Sequence, residues 1–125
     1  MHPRDTTMIR PITATFVILA ASSPWLPAFA HHGWSSYDAN NALTLEAPIE
    51  TMSYSFPHGE ITLVSDGKTW RCVLAPPSRM DRRGLAQGML ATGTSVTVVG
   101  YPSRVDDSEM RVERIMVGGQ TFELR

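Results

Sequence analysis

"LTLEAPIETMSYSFPHG", residues 43–59, decides how this chain folds. Leu43, Leu45, Ala47 and Ile49 alternate with Thr44, Glu46, Pro48 and Glu50. That is the period-two pattern of a strand with one buried face. The apolar phase then jumps by one residue, to Met52, Tyr54 and Phe56. A single slip of phase inside a long strand is the mark of a β-bulge, which bends the strand and raises its twist. Pro48 cannot donate to a ladder, so the same stretch is expected at an exposed edge. "FPHG" (56–59) ends the run as a turn, with Pro57 and Gly59 as breakers.

Downstream, "EITLVS" (60–65) and "TWRCVLA" (69–75) read as strands joined by the tight turn "DGK". "SRMDRRG" (78–84) holds one or two turns of helix, with Ser78 as the expected N-cap and Gly84 as the stop. "TSVTVVGY" (94–101) and "EMRVERIMV" (109–117) are two more strands, and "TFELR" (121–125) is a short sixth segment after Gly118-Gly119. Three strands, a helix and two further strands, with a long bent first strand, is the order of the OB-fold. The expectation is an all-β, OB-like antiparallel barrel of five to six strands, with one short helix between strands three and four.

The first thirty residues have a different character. Arg4 and Arg10 precede an uncharged stretch, 11–30, whose apolar centre "ITATFVILAA" (12–21) is followed by Pro24, Pro27 and the small-x-small signature Ala28-Phe29-Ala30. This describes a secretory signal peptide cut after Ala30. A membrane span needs about 20 apolar residues, which this segment lacks. The expected division is a signal peptide at 1–30, an N-terminal arm at 31–42 and the barrel at 43–125, in the periplasm or secreted. No membrane span remains after cleavage.

Removing residues 1–30 takes away two arginines and one aspartate, leaving nine basic and eleven acidic side chains. A net charge near −2 gives no basic footprint, so nucleic acid is not an expected partner. Cys72 is the single cysteine, which precludes an intrachain disulfide and puts the stability on the core. Its alternation with Trp70 and Leu74 marks it as a small buried hydrophobe. Arg79, Arg82 and Arg83 read as a solvated helix face rather than a binding patch.

The candidate site lies at the cut. Cleavage after Ala30 would make His31 the first residue, with its free amine and its imidazole on one α-carbon. Together they close a six-membered ring on a metal. An α-amine has a pKa near 8, against about 10.4 for lysine, and so yields its proton to a metal at modest cost. His58 would add a second imidazole, giving a three-nitrogen set suited to copper(II), which prefers tetragonal nitrogen coordination. His32 could supply a fourth nitrogen, hold a second metal or stay uninvolved. The expected metal ligands are therefore His31, His58 and His32, and the expected cofactor is copper. A straight strand would carry His58 roughly 45 Å from Leu43, while the arm reaches about 40 Å when extended. The arm must therefore double back, helped by the bend at the bulge. The methionines sit on apolar faces and read as core rather than as thioether ligands.

The chain also resembles a family of small secreted bacterial proteins of unknown function. The matching pieces are "AHHGWSSYD" (30–38), "LTLEAPI" (43–49), "FPHG" (56–59), "DRRG" (81–84), "GTSVTVVGY" (93–101) and "GGQTFEL" (118–124). Phe56 stands where that family usually has asparagine, and Gly33-Trp34 where it has Ser-Phe. The resemblance implies an exported OB-like domain and places His31, His32 and His58 at matched positions, without an activity.

Two functions of different class follow. One is copper handling or delivery in the periplasm. The other is a non-catalytic OB-type module that binds a peptide, a glycan or an envelope protein, with Trp34, Tyr54 or Tyr101 as contacts. An enzyme is the weakest reading, because the sequence shows no nucleophile–base pairing, no distinctive acidic pair and no phosphate loop.

Overall fold

The bulge is where the sequence places it. In the computed structural model, which describes residues 33–125, strand β1 (Leu43–Ser53) pairs with β4 (Ser95–Pro102) through residues 43–48. From Ile49 onward it pairs with β2 (Glu60–Ser65) on its other side. The register slips between Ile49 and Thr51, so Glu50 is the extra residue that shifts the apolar phase. β1 is thus a central strand that hands over from one partner to the other at the slip. Along 43–48 the other side of β1 is unpaired, and Pro48 is exposed on that edge as expected. Ile49 donates to the Thr94 carbonyl at 2.9 Å, so the neighbouring Pro48 nitrogen points away from β4. On that side the ladder with β2 begins only at Ile49, and the missing donor leaves no acceptor stranded.

β2 and β3 (Lys68–Val73) form a hairpin whose turn residues, Asp66 and Gly67, both have positive φ. This left-handed pair is what a two-residue hairpin needs to match the strand twist. Around the barrel the order is β3-β2-β1-β4-β5, and β5 (Glu109–Val117) closes it by pairing with β3. A ring of five strands cannot alternate direction all the way round, so one neighbouring pair must run parallel. That pair is β3–β5, with Arg71 opposite Glu109, Cys72 opposite Met110 and Val73 opposite Arg111. The remaining length of the same β5 edge, residues 114–117, takes the sixth strand, β6 (Gln120–Glu123). The all-β, OB-like barrel is therefore as expected, with this one parallel seam.

Helix α1 (Pro77–Arg82) sits between β3 and β4. It starts before the expected cap: Pro76 is the N-cap and Ser78 lies inside the first turn. A proline at the first helical position loses no intrahelical bond and is preset for helical φ, which displaces the serine from the capping role. Met80, Leu85 and Leu90 from this crossover are fully buried against Ile61, Leu63, Val98 and Ile115. Arg82 and Arg83 are exposed, as expected of a solvated face, and Arg79 and Arg83 also reach the C-terminal segment. Their guanidinium groups donate to the carbonyls of Leu124 at 3.3 Å and Glu123 at 3.0 Å, fastening the C-terminal strand.

Cys72 is wholly buried, and burial pushes its thiol up to about 12. It should therefore resist a thiol reagent at pH 8 in the native state and react quickly once urea unfolds the barrel. Rapid native-state labelling would contradict its burial. The segment expected to be a signal peptide, and His31 and His32 with it, lies outside the described residues. No helix among the described residues is long and apolar enough to cross a membrane.

Candidate functional site

The arm folds back over the outside of the barrel. Gly33–Ser36 make a single 3-10 turn, entered at Gly33 with φ +45°. Tyr37 then forms a bridge with Ser103, and the Asp38 amide donates to the Pro102 carbonyl at 2.9 Å. The Arg104 amide donates to the Ser36 carbonyl, also at 2.9 Å. The arm is thus stitched along the segment that leaves β4.

Two aromatic residues hold it there. Trp34 meets two guanidinium groups, with Arg111 at 5.0 Å and Arg125 at 4.7 Å from its ring centre, and meets Tyr101 edge-on. Such cation–π contacts strengthen as water is excluded. Tyr37 is buried and donates its hydroxyl to Glu109. Burial, and secondarily the bond to the Glu109 carboxylate, push the Tyr37 phenol up to about 12. It remains a donor throughout the physiological range.

Between the arm, the β1–β2 loop and the β4–β5 loop lies a cleft of about 430 Å³. On its walls are Gly33 and Tyr37 from the arm, Pro57 and His58 from the first loop, Arg71 from β3, Val105 and Asp106 from the second loop, and Glu109 and Arg111 from β5. In OB-folds these two loops and the adjoining sheet face commonly border the ligand site.

Charge is unevenly distributed in the cleft. Arg71 collects three carboxylates: Glu60 at 3.1 Å, Asp106 at 3.6 Å, and Glu109 in direct contact. Arg111 points outward from β5, between the core residues Met110 and Val112, yet only 8 % of it is exposed because the arm covers it. Burial lowers its pKa, Tyr37 and the Glu109 carboxylate oppose that shift, and the nearby Arg79 reinforces it.

The three histidines divide. His58 is half-buried on the cleft wall and is engaged in interactions of its own. His31 and His32 lie outside the described residues, but the residue that follows them, Gly33, lines the same cleft as His58. Among the described residues, no group of three or more histidine, cysteine, aspartate or glutamate side chains is arranged to hold a metal. Met80 and Met110 are core residues, and Met52 and Met89 pack against the core, which leaves no thioether of theirs for the cleft.

The aromatics considered for a binding module are occupied internally. Tyr54 donates to Asp81 and to the Leu85 carbonyl, Tyr101 donates to Glu113, and Trp34 is stacked. Sequence reasoning missed Arg71, Glu109 and Arg111 altogether. The signal available was weak: Glu109, Arg111 and Glu113 are charged residues two apart, the pattern of any solvent face.

Residues 18–111 match a family of unknown function, DUF6152. The chain belongs to this family. The match to the family takes in His31, His32 and His58, the whole arm, and the cleft residues through Arg111. No curated protein matches the chain. Among solved structures it is similar to part of an aspartyl-tRNA synthetase chain from Leishmania major Friedlin, at 16 % identity and a TM-score of 0.48. It is also similar to part of apo TiaS, a tRNAIle2 agmatidine synthetase, at 17 % identity and a TM-score of 0.46. These likenesses cover 66 % and 64 % of this chain and 18 % of each of those proteins, and neither bears on the cleft.

Proposed function

We infer that this family member is an exported metal-binding protein that handles or delivers copper. His31 would act as an N-terminal chelate, His58 as a second imidazole and His32 as an optional further donor. The observation that carries this reading is the return of the arm, because Gly33 and His58 share one cleft. His31 stands two residues before Gly33, a reach of about 7 Å at most. The obstacle posed by a straight strand is removed by the bulge. The donors are neutral nitrogens, and the carboxylates around Arg71 offset the charge of a bound dication from outside its ligand shell.

Electron paramagnetic resonance with copper(II) tests the reading on two forms: one that begins at His31, and one carrying a single extra residue before it. The form beginning at His31 should bind one copper per chain with a multi-nitrogen signature. The extended form should bind at least tenfold more weakly, because its amine no longer shares an α-carbon with the imidazole. His58→Ala should lower affinity in the first form and change little in the second. Equal and weak binding by both forms would sink the proposal.

A second reading, a non-catalytic module for a peptide, glycan or envelope protein, draws on two exposed apolar side chains. Val105 lines the cleft, and Phe56 precedes the cleft residue Pro57. They are 90 % and 87 % exposed, so this is surface available to a partner, and the partner could equally be the protein that receives the metal.

A further inference from the structure

Arg111 is a buried cation with no carboxylate in ion-pair contact with it among the described residues. Its Nε has no hydrogen-bond partner among those residues, and the cleft carboxylates Glu60, Asp106 and Glu109 pair with Arg71 instead. The Trp34 ring, the Tyr37 oxygen and, beyond ion-pair distance, the Glu109 carboxylate are its favourable neighbours, and Arg79 adds repulsion. Proteins seldom bury a guanidinium unless something pairs with it, because desolvation is costly. This one lines a cleft of about 430 Å³, within the rough range of 300–1,000 Å³ for small-molecule sites.

The other end of the cleft has the opposite imbalance, with Glu60, Asp106 and Glu109 gathered on the single cation of Arg71. The seam register puts Arg71 opposite Glu109 and Val73 opposite Arg111. The two ends are therefore two residues apart along β5, about 7 Å. A simple anion attracted to Arg111 would be repelled by the carboxylates, and a simple cation held by the carboxylates would leave Arg111 unpaired. A small molecule carrying a carboxylate and an ammonium a few ångströms apart satisfies both ends.

We propose that the cleft binds a free amino acid, with its α-carboxylate on Arg111 and its α-ammonium on the carboxylates around Arg71. The guanidinium fork suits a carboxylate taken through two parallel hydrogen bonds. The cleft's separated charges would then be completed by the ligand rather than by the protein.

The test is independent of the copper reading and is run on metal-free protein in EDTA. Calorimetric titration uses each of the twenty free L-amino acids, with acetate and methylammonium as single-charge controls. At least one amino acid should saturate at one per chain, and both controls should bind at least tenfold more weakly. Arg111→Met should reduce that binding at least tenfold while the unliganded protein melts at the same temperature or higher, since an uncompensated buried charge has been removed. Arg111→Lys keeps the charge without the fork and should lose at least fivefold, which decides the matter if Arg111→Met does not fold. No saturable binding by any amino acid, or unchanged binding in both variants, would overturn the proposal.

Discussion

Gly100→Ala should be the most damaging single methyl group that can be added to this protein. A Cβ at residue 100 would lie 2.1 Å from the Arg111 carbonyl oxygen and 2.8 Å from its carbon, with Met110 Cε at 2.9 Å. The first two are backbone atoms of the neighbouring strand, so no rotamer change relieves them. Gly100 also sits at the second register slip of the barrel, between Val99 and Gly100 on β4, where the two strands approach closely. Relief requires β4 and β5 to part, and their contact buries Val98, Met110, Val112 and Ile115. The expected loss is at least about 3 kcal/mol, at the upper end for overpacking. Against a typical domain stability of about 5–15 kcal/mol this is a large fraction. Gly59→Ala provides the contrast. There the new Cβ would meet Met80 Cε at 2.4 Å, the far end of a flexible side chain that can move, so the loss should be distinctly smaller. Urea unfolding of both variants measures the difference, and a Gly100→Ala midpoint equal to that of the unaltered protein would refute the account.

Glu109→Ala should have the next largest effect, and it acts on the cleft and the barrel together. Glu109 accepts from Tyr37 with one oxygen and from Arg71 with the other, and only 14 % of its side chain is exposed. It also stands opposite Arg71 in the closing seam. Truncation strands a buried phenol and strips Arg71 of its best-buried partner. Arg71 is itself about half exposed and keeps Glu60, so screening reduces the cost below that of a fully buried pair. An estimate of about 2–3 kcal/mol follows. Glu109→Gln retains an acceptor for Tyr37 and should lose roughly half as much. The arm should also become more sensitive to protease in Glu109→Ala, because its Tyr37 anchor is gone. A variant with unchanged stability and an equally resistant arm would show that the arm does not depend on this carboxylate.

The barrel was largely legible in the sequence because its decisive feature is local. Side-chain parity along β1 is set residue by residue, so the jump from Ile49 to Met52 reports the bulge without knowledge of the rest of the fold. The start of the helix was misplaced because Ser78 and Pro77 both suit a helix entrance, and only the backbone shows which position each takes. The cleft was the least legible part. Arg111 occupies an outward position on β5 and would be solvated on a bare barrel. It is buried by Trp34 and Tyr37, more than seventy residues earlier, and periodicity carries no record of so distant a contact. The histidines stood out through their neighbourhood to the expected cut, a chemical signal independent of the fold.

The odd number of strands has a consequence for the order of events during folding. The β2–β3 hairpin can form from neighbouring residues, but the parallel seam joins Arg71 to Glu109 across 38 positions of chain. Contacts between such distant residues bear the entropy of closing a long loop and are slow to be won. The cleft draws its walls from both sides of that seam, and its roof from an arm that docks on β5. No early hairpin or half-closed sheet contains it. The cleft is thus complete only once the seam has closed and the arm has docked, so that a chain presenting it is one that has already finished folding.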